Sequence, residues 1–193
     1  MNLADRVKSI LLTPRSEWRV IDAEPATVGS LYTTYILPLG AIPAVATLIG
    51  FSLVGTSILG SSFRIPFGSG IEWAVSQYVS TLVGVFILAL IIDALAPTFG
   101  GTQNRVQALK VAAYSMTAVW LCGIFYLLPS LAPLGILGLY SLFLLFLGLP
   151  VLMKAPEDKA LGYTIVSCIA AIVIFVIMRT ITARFGYMTA MTP

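Results

Sequence analysis

The chain contains no histidine. That absence removes Ser-His and Cys-His catalysis, His-liganded zinc or haem, and the usual near-neutral proton carrier. Cysteine is nearly absent too. Cys122 and Cys168 each lie inside an apolar run, form no C-x-x-C pair, and read as small buried hydrophobes. Charge is scarce at 10% of residues, against about 25% for an average soluble domain. The net charge of +3 is dispersed and not gathered into a patch, so no nucleic-acid partner is expected. Motifs are missing as well: no G-x-S-x-G elbow, no G-K-[ST] phosphate loop and no G-x-G-D pair. Phe99-Gly100-Gly101-Thr102 lacks the lysine of a phosphate cradle and reads as a turn with a Thr or Asn N-cap before a helix. No enzyme activity, metal or cofactor is expected.

What is present in quantity is apolar sequence, 59% of residues. It falls into five runs: Tyr32–Val54, Ile71–Leu95, Ala108–Leu128, Pro133–Met153 and Leu161–Thr182. A hydrocarbon core about 30 Å thick needs roughly 20 apolar residues in a helix, and every run meets that. The expected fold class is all-α: a polytopic membrane bundle of five transmembrane helices with a short N-terminal amphipathic helix. The expected division is 1–30 as a cytoplasmic N-terminal segment, 31–185 as the spanning domain, and 186–193 as a short tail. Residues 1–30 carry eight charges and no sustained apolar core, so they do not read as a cleavable signal peptide.

Lys and Arg set the expected orientation. With five spans, eight of the 11 basic residues fall on the side of the N-terminus and three on the other. The N-terminus is therefore expected in the cytoplasm and the C-terminus outside. Ahead of the first span, Leu3, Val7, Ile10 and Leu11 recur at helical spacing and predict a helix lying on the inner leaflet, ended by Thr13-Pro14, the alternative being that residues 1–30 fold back onto the bundle. Trp18, between Glu17 and Arg19, reads as an interfacial anchor with its indole at headgroup depth.

Ionisable residues inside a membrane are costly and are the default functional candidates. The second span holds two, Glu72 and Asp93. Their separation is about 31 Å along a helix, which excludes a carboxylate dyad. Asp93 is expected as a structural ion pair with Arg105, Lys110 or Lys154, the alternative being a proton or cation site. The same span carries Gln77, Ser80, Thr81 and Gly84 on one face, about 160° from Asp93 at 100° per residue. Hydroxyl and amide groups often join membrane helices by hydrogen bonds, so this stripe is expected to pack against a neighbour in preference to lining a substrate path. Small residues such as Gly40 and Ala44, or Ala46 and Gly50, mark faces where backbones could approach. Pro38, Pro43 and Pro150 fall inside spans and are expected to kink them.

Several ordered signatures resemble the Yip family of membrane proteins. Leu11-Leu12-Thr13-Pro14 followed by Trp18 is similar to the family's N-terminal P-x-x-x-W pattern, and Tyr35-Ile36-Leu37-Pro38-Leu39 to its first-span opening. Phe99-Gly100-Gly101 leading to Tyr114-Ser115-Met116-Thr117 resembles the approach to its third span, and Leu147-Gly148-Leu149-Pro150-Val151-Leu152-Met153 the end of its fourth. Relatives often place proline after the threonine, where this chain has Ala118. The resemblance implies five spans, a cytoplasmic N-terminus and no catalytic residues. The short N-terminal segment and compact loops look like the bacterial branch, so the Rab-type GTPase partners of eukaryotic relatives are not carried over. Together these readings predict a non-enzymatic protein of the bacterial inner membrane that organises membrane or partner proteins. Membrane lipids, a second copy of the chain or a further protein are its expected partners. The alternatives are a small-solute or ion transporter and a lipid-binding or lipid-moving protein.

Overall fold

The computed structural model describes residues 2–58 and 61–173, with Val176. Two short helices open the chain, α1 (Leu3–Leu12) and α2 (Pro14–Ala23). The Asn2 side chain caps α1 by accepting from the Asp5 N–H at 2.8 Å. Pro14 does stop α1, and it also starts α2: it sits in the first turn, where its missing donor costs nothing.

Among the described residues, four helices are long and apolar enough to cross a membrane. They are α3 (Val28–Val54), α4 (Phe67–Leu95), α5 (Arg105–Leu127) and α6 (Pro129–Met153). A further helix, α7, covers 160–173. The remainder of the fifth apolar run, and the expected tail at 186–193, lie outside the described residues. Between α3 and α4 the backbone forms a two-stranded antiparallel hairpin, Thr56–Ile58 with Ser61–Phe63.

The spans are irregular where their sequence requires it. α3 starts on a capping box in which Thr27 and Ser30 satisfy each other's backbone N–H groups. It then widens into a π-turn at Tyr32–Ile36, with the Leu37 N–H reaching back to the Tyr32 carbonyl just before Pro38. The wider turn accommodates a residue that has no N–H to give. The α-helical run of α5 divides at Met116, although residue 118 is alanine. The Thr117 hydroxyl donates to the Tyr114 carbonyl at 2.6 Å, a back-bond of the kind that bends helices, so the interruption does not need a proline. With that hydrogen spent, Thr117 Oγ1 accepts from the Tyr35 hydroxyl at 2.7 Å, tying α3 to α5. Asn104 caps α5, and Gly100, at φ 76°, closes the turn before it. The Phe99–Thr102 segment is therefore a connection, held by the Thr102 N–H on the Met153 carbonyl at 2.8 Å.

The α5 helix is the centre of the bundle, with 67% of its most apolar stretch buried, against 22% for α4. Close approach comes from glycine. A Cβ on Gly50 would lie 1.8 Å from the Tyr126 carbonyl oxygen, so α3 and α5 touch backbone to backbone there. Gly84 faces open space, with nothing within 4 Å of the same position. Gly50→Ala is expected to cost about 1–3 kcal/mol or more by forcing these helices apart. Gly84→Ala should be neutral, or stabilising by about 0.5–1 kcal/mol through helix propensity. SDS titration of both variants in mild detergent checks the contrast, and equal midpoints would refute it.

A membrane-embedded cavity as the candidate functional site

The polar stripe of α4 does not disappear into a helix contact. Gln77, Ser80, Thr81 and Gly84 line a cavity of about 580 Å³ between the spans. Each of the other long helices adds to its wall: Pro43 from α3, Trp120 from α5, Ser141 from α6 and Cys168 from α7. Part of the stripe does pack as expected, because the Thr81 methyl lies 3.4 Å from where a Cβ on Gly40 would sit. The rest faces a space that the expectation of tight packing did not include.

The wall is mostly apolar, and its polar groups divide into two kinds. Some are satisfied within the protein. Thr81 donates to the Gln77 carbonyl at 3.0 Å, Ser115 to the Ala112 carbonyl at 3.1 Å, and Ser141 Oγ accepts the Val119 N–H at 3.2 Å. Others are not. Gln77 Oε1 and Trp120 Nε1 are buried without a hydrogen-bond partner, and an unpaired buried polar group costs about 1–3 kcal/mol. Among the described residues no Asp, Glu, Lys or Arg lines the cavity.

Asp93 stands apart from this space. Its Oδ2 lies 4.0 Å from Nε of Arg105, whose side chain is 84% exposed, and its Oδ1 is buried without a partner. A loose pair with so exposed a cation contributes about 0–1 kcal/mol. The other two expected partners are engaged elsewhere: Lys110 donates to the carbonyls of Ile21 and Glu24 at 2.8 and 2.6 Å, and Lys154 to Asp22 at 2.5 Å. Glu72 is exposed near the opposite end of α4. Pro43 packs on α5, where a Cβ on Gly123 would come within 2.5 Å of its own Cβ, and Pro150 lies within the helical part of α6.

The N-terminal segment departs most from expectation. The apolar face of α1 turns to protein: Ile10 is fully buried, with Leu3, Val7 and Leu11 packed against the same core. Trp18 is not an anchor presented to headgroups. Its indole is 0% exposed, edge-on to Tyr114 at 6.4 Å, and seated on α6 where Gly148 has no side chain. A charge cluster that sequence reading missed locks this arrangement. Arg6, 6% exposed, bonds both Glu17 and Glu24 and lies 5.8 Å over the Tyr114 ring. Burial alone would lower the Arg6 pKa, but the hydrogen bond to Glu24 and the surrounding negative charge overcome it, and the net shift is upward. Lys110 caps the C-terminal end of α2, where cations are favoured. These partners come from sites up to 89 residues apart, so no local spacing announces them.

A Yip1 domain model matches residues 8–178. The chain belongs to the Yip1 family. Two curated relatives, both the inner membrane protein YohC, one from Escherichia coli strain K12 and one from strain O6:H1, are 26% identical over 180 residues, covering 90% of this chain and 92% of theirs. No solved structure matches it. The Yip1 match takes in the whole cavity wall and all of α2. Four of the wall residues carried a signal in the sequence: Ser115, Ser141, Trp120 and Cys168 are polar or polarisable positions inside apolar runs. Their convergence on the α4 stripe required the packing of five helices.

Proposed function

We propose that this Yip1-family protein is a non-enzymatic protein of the bacterial inner membrane, N-terminus in the cytoplasm, that holds a small lipid-like guest within its bundle. One observation carries this reading: an uncharged, mostly apolar cavity bordered on one side by the polar stripe Gln77, Ser80 and Thr81 of α4. Its volume falls in the range of about 300–1,000 Å³ used by small-molecule sites. Ions are a poor fit, since a desolvated charge needs paired or converging ligands and none of the described lining residues is charged. A neutral amphiphile loses little by entering, and Ser80, exposed on the wall, offers its polar end a partner. This supports the lipid-binding role over organisation of partner proteins, which leaves the cavity unused, and over ion passage, which an uncharged wall does not serve.

Gly84→Phe tests the reading, since its side chain enters open space on the cavity wall. Native mass spectrometry from lipid nanodiscs is expected to show a retained neutral lipid on the wild type and none on the variant, with unchanged SDS midpoints. No retained lipid on the wild type, or equal retention by both, would sink it.

A further inference from the structure

At one height along this bundle, two adjacent surfaces demand opposite surroundings. The α1–α2 pair is a hairpin laid along the end of α6. The Leu11 carbonyl accepts from the Tyr140 hydroxyl at 3.0 Å, Trp18 sits on Gly148, and Asp22 meets Lys154. The chain thus climbs from Leu3 to the Thr13–Pro14 tip and returns parallel to α6. Tyr140 precedes Met153 by 13 residues, which places the tip about 20 Å from that end of α6.

The exposed surface of the hairpin is mainly basic, and it also bears Leu12 at 69% and Val20 at 45% exposure. Lys8, Arg15, Ser16 and Arg19 are exposed, and none of these three cations is in an ion pair among the described residues. Beside the tip, at the height of Tyr140, Leu139 and Phe143 are 60% and 42% exposed on α6. If water filled that height all round, these side chains would form an apolar patch in solvent. If hydrocarbon filled it, Arg15 and Arg19 would lie in lipid tails, where charge is strongly disfavoured. A flat bilayer satisfies neither face.

We infer that the bilayer is indented beside α1–α2, with anionic phospholipid headgroups of the adjoining leaflet following the hairpin down to its tip. Lys8, Arg15 and Arg19 take the phosphates there, while Leu139 and Phe143 remain against acyl chains. The surface favours lipid because its charge complements phosphate and because acyl chains border it on α6.

Site-directed spin labels test the indentation in liposomes of phosphatidylcholine and phosphatidylglycerol. Labels go on at Ser16→Cys or Leu139→Cys in a Cys122→Ala/Cys168→Ala background. The label at 16 should collide readily with a water-soluble nickel reagent, and the one at 139 with oxygen. Oxygen-type exposure at both, or nickel-type exposure at both, overturns the inference. The occupant is tested by Lys8→Gln/Arg15→Gln/Arg19→Gln. Retention of phosphatidylglycerol over phosphatidylcholine in mixed nanodiscs should fall at least about tenfold. Unchanged retention would overturn the headgroup assignment. The cavity's neutral guest is a separate species by mass, so loss of one reading leaves the other measurable.

Discussion

Arg6→Met is expected to destabilise the protein by about 3–5 kcal/mol, the range for removing one partner of a buried ion pair. The guanidinium bonds Glu17 and Glu24 together, and the side chains of Arg6 and Glu17 are only 7% and 9% exposed. Without it, Glu17 stays enclosed with no counter-charge, whereas Glu24, 42% exposed, can turn to water. The cost should therefore trace mainly to Glu17. Arg6→Met/Glu17→Gln is expected to recover most of the loss, because the uncompensated charge is then gone. Arg6→Lys should recover only part: an ammonium lacks the planar fork that serves two carboxylates at once. SDS titration of the four proteins checks the series. A double variant no better than Arg6→Met would show that the cluster acts through packing alone.

How legible the molecule was depends on the distance over which each feature is written. Hydrophobic length is local, and it marked the spans Val28–Val54 through Pro129–Met153 to within a few residues at most ends. The stripe Gln77, Ser80 and Thr81 was legible as one face of a helix, since helical period is also local. That the face meets a cavity was not, because the void is what five helices fail to fill. Trp18 shows the same limit from the other side. Flanked by Glu17 and Arg19, it carries the sequence pattern of a residue at the headgroups. Its burial follows from Gly148, which lies 130 residues away and leaves the α6 backbone bare for an indole. Lys110 likewise reads as a topology charge, but it serves as the cap of a helix 86 to 89 residues earlier.

The cavity and the hairpin sit on opposite sides of α5. Tyr114, Tyr35 and Trp120 run between them, with ring centroids 4.4 Å apart for the first pair and 6.4 Å for Tyr35 and Trp120. Arg6 lies over the Tyr114 ring at one end of this row, and Trp120 forms cavity wall at the other. The interruption of α5 at Met116 falls in the middle of it. The hairpin's hold on the bundle is therefore mechanically continuous with the cavity wall, and loosening one should loosen the other.

That continuity gives Trp18 the second large effect. Trp18→Ala is expected to cost about 3–5 kcal/mol, the range for emptying a buried aromatic site. Little collapse can offset it, since α6 is already at its closest: a Cβ on Gly148 would fall 2.8 Å from the indole ring. Trp18→Phe should cost far less than its lost area suggests. The indole Nε1 is buried without a partner, and phenylalanine removes that unsatisfied donor. A headgroup anchor would behave differently, because its indole N–H would gain from the interface and little packing would depend on its ring. The hairpin itself supplies the second readout. Once Trp18 is truncated, α1–α2 should leave α6 and its helical backbone should loosen, so trypsin should cut at Arg15 and Arg19 faster in Trp18→Ala than in the wild type or Trp18→Phe. Equal cleavage of all three, with Trp18→Ala as stable as the wild type, would return Trp18 to the membrane surface.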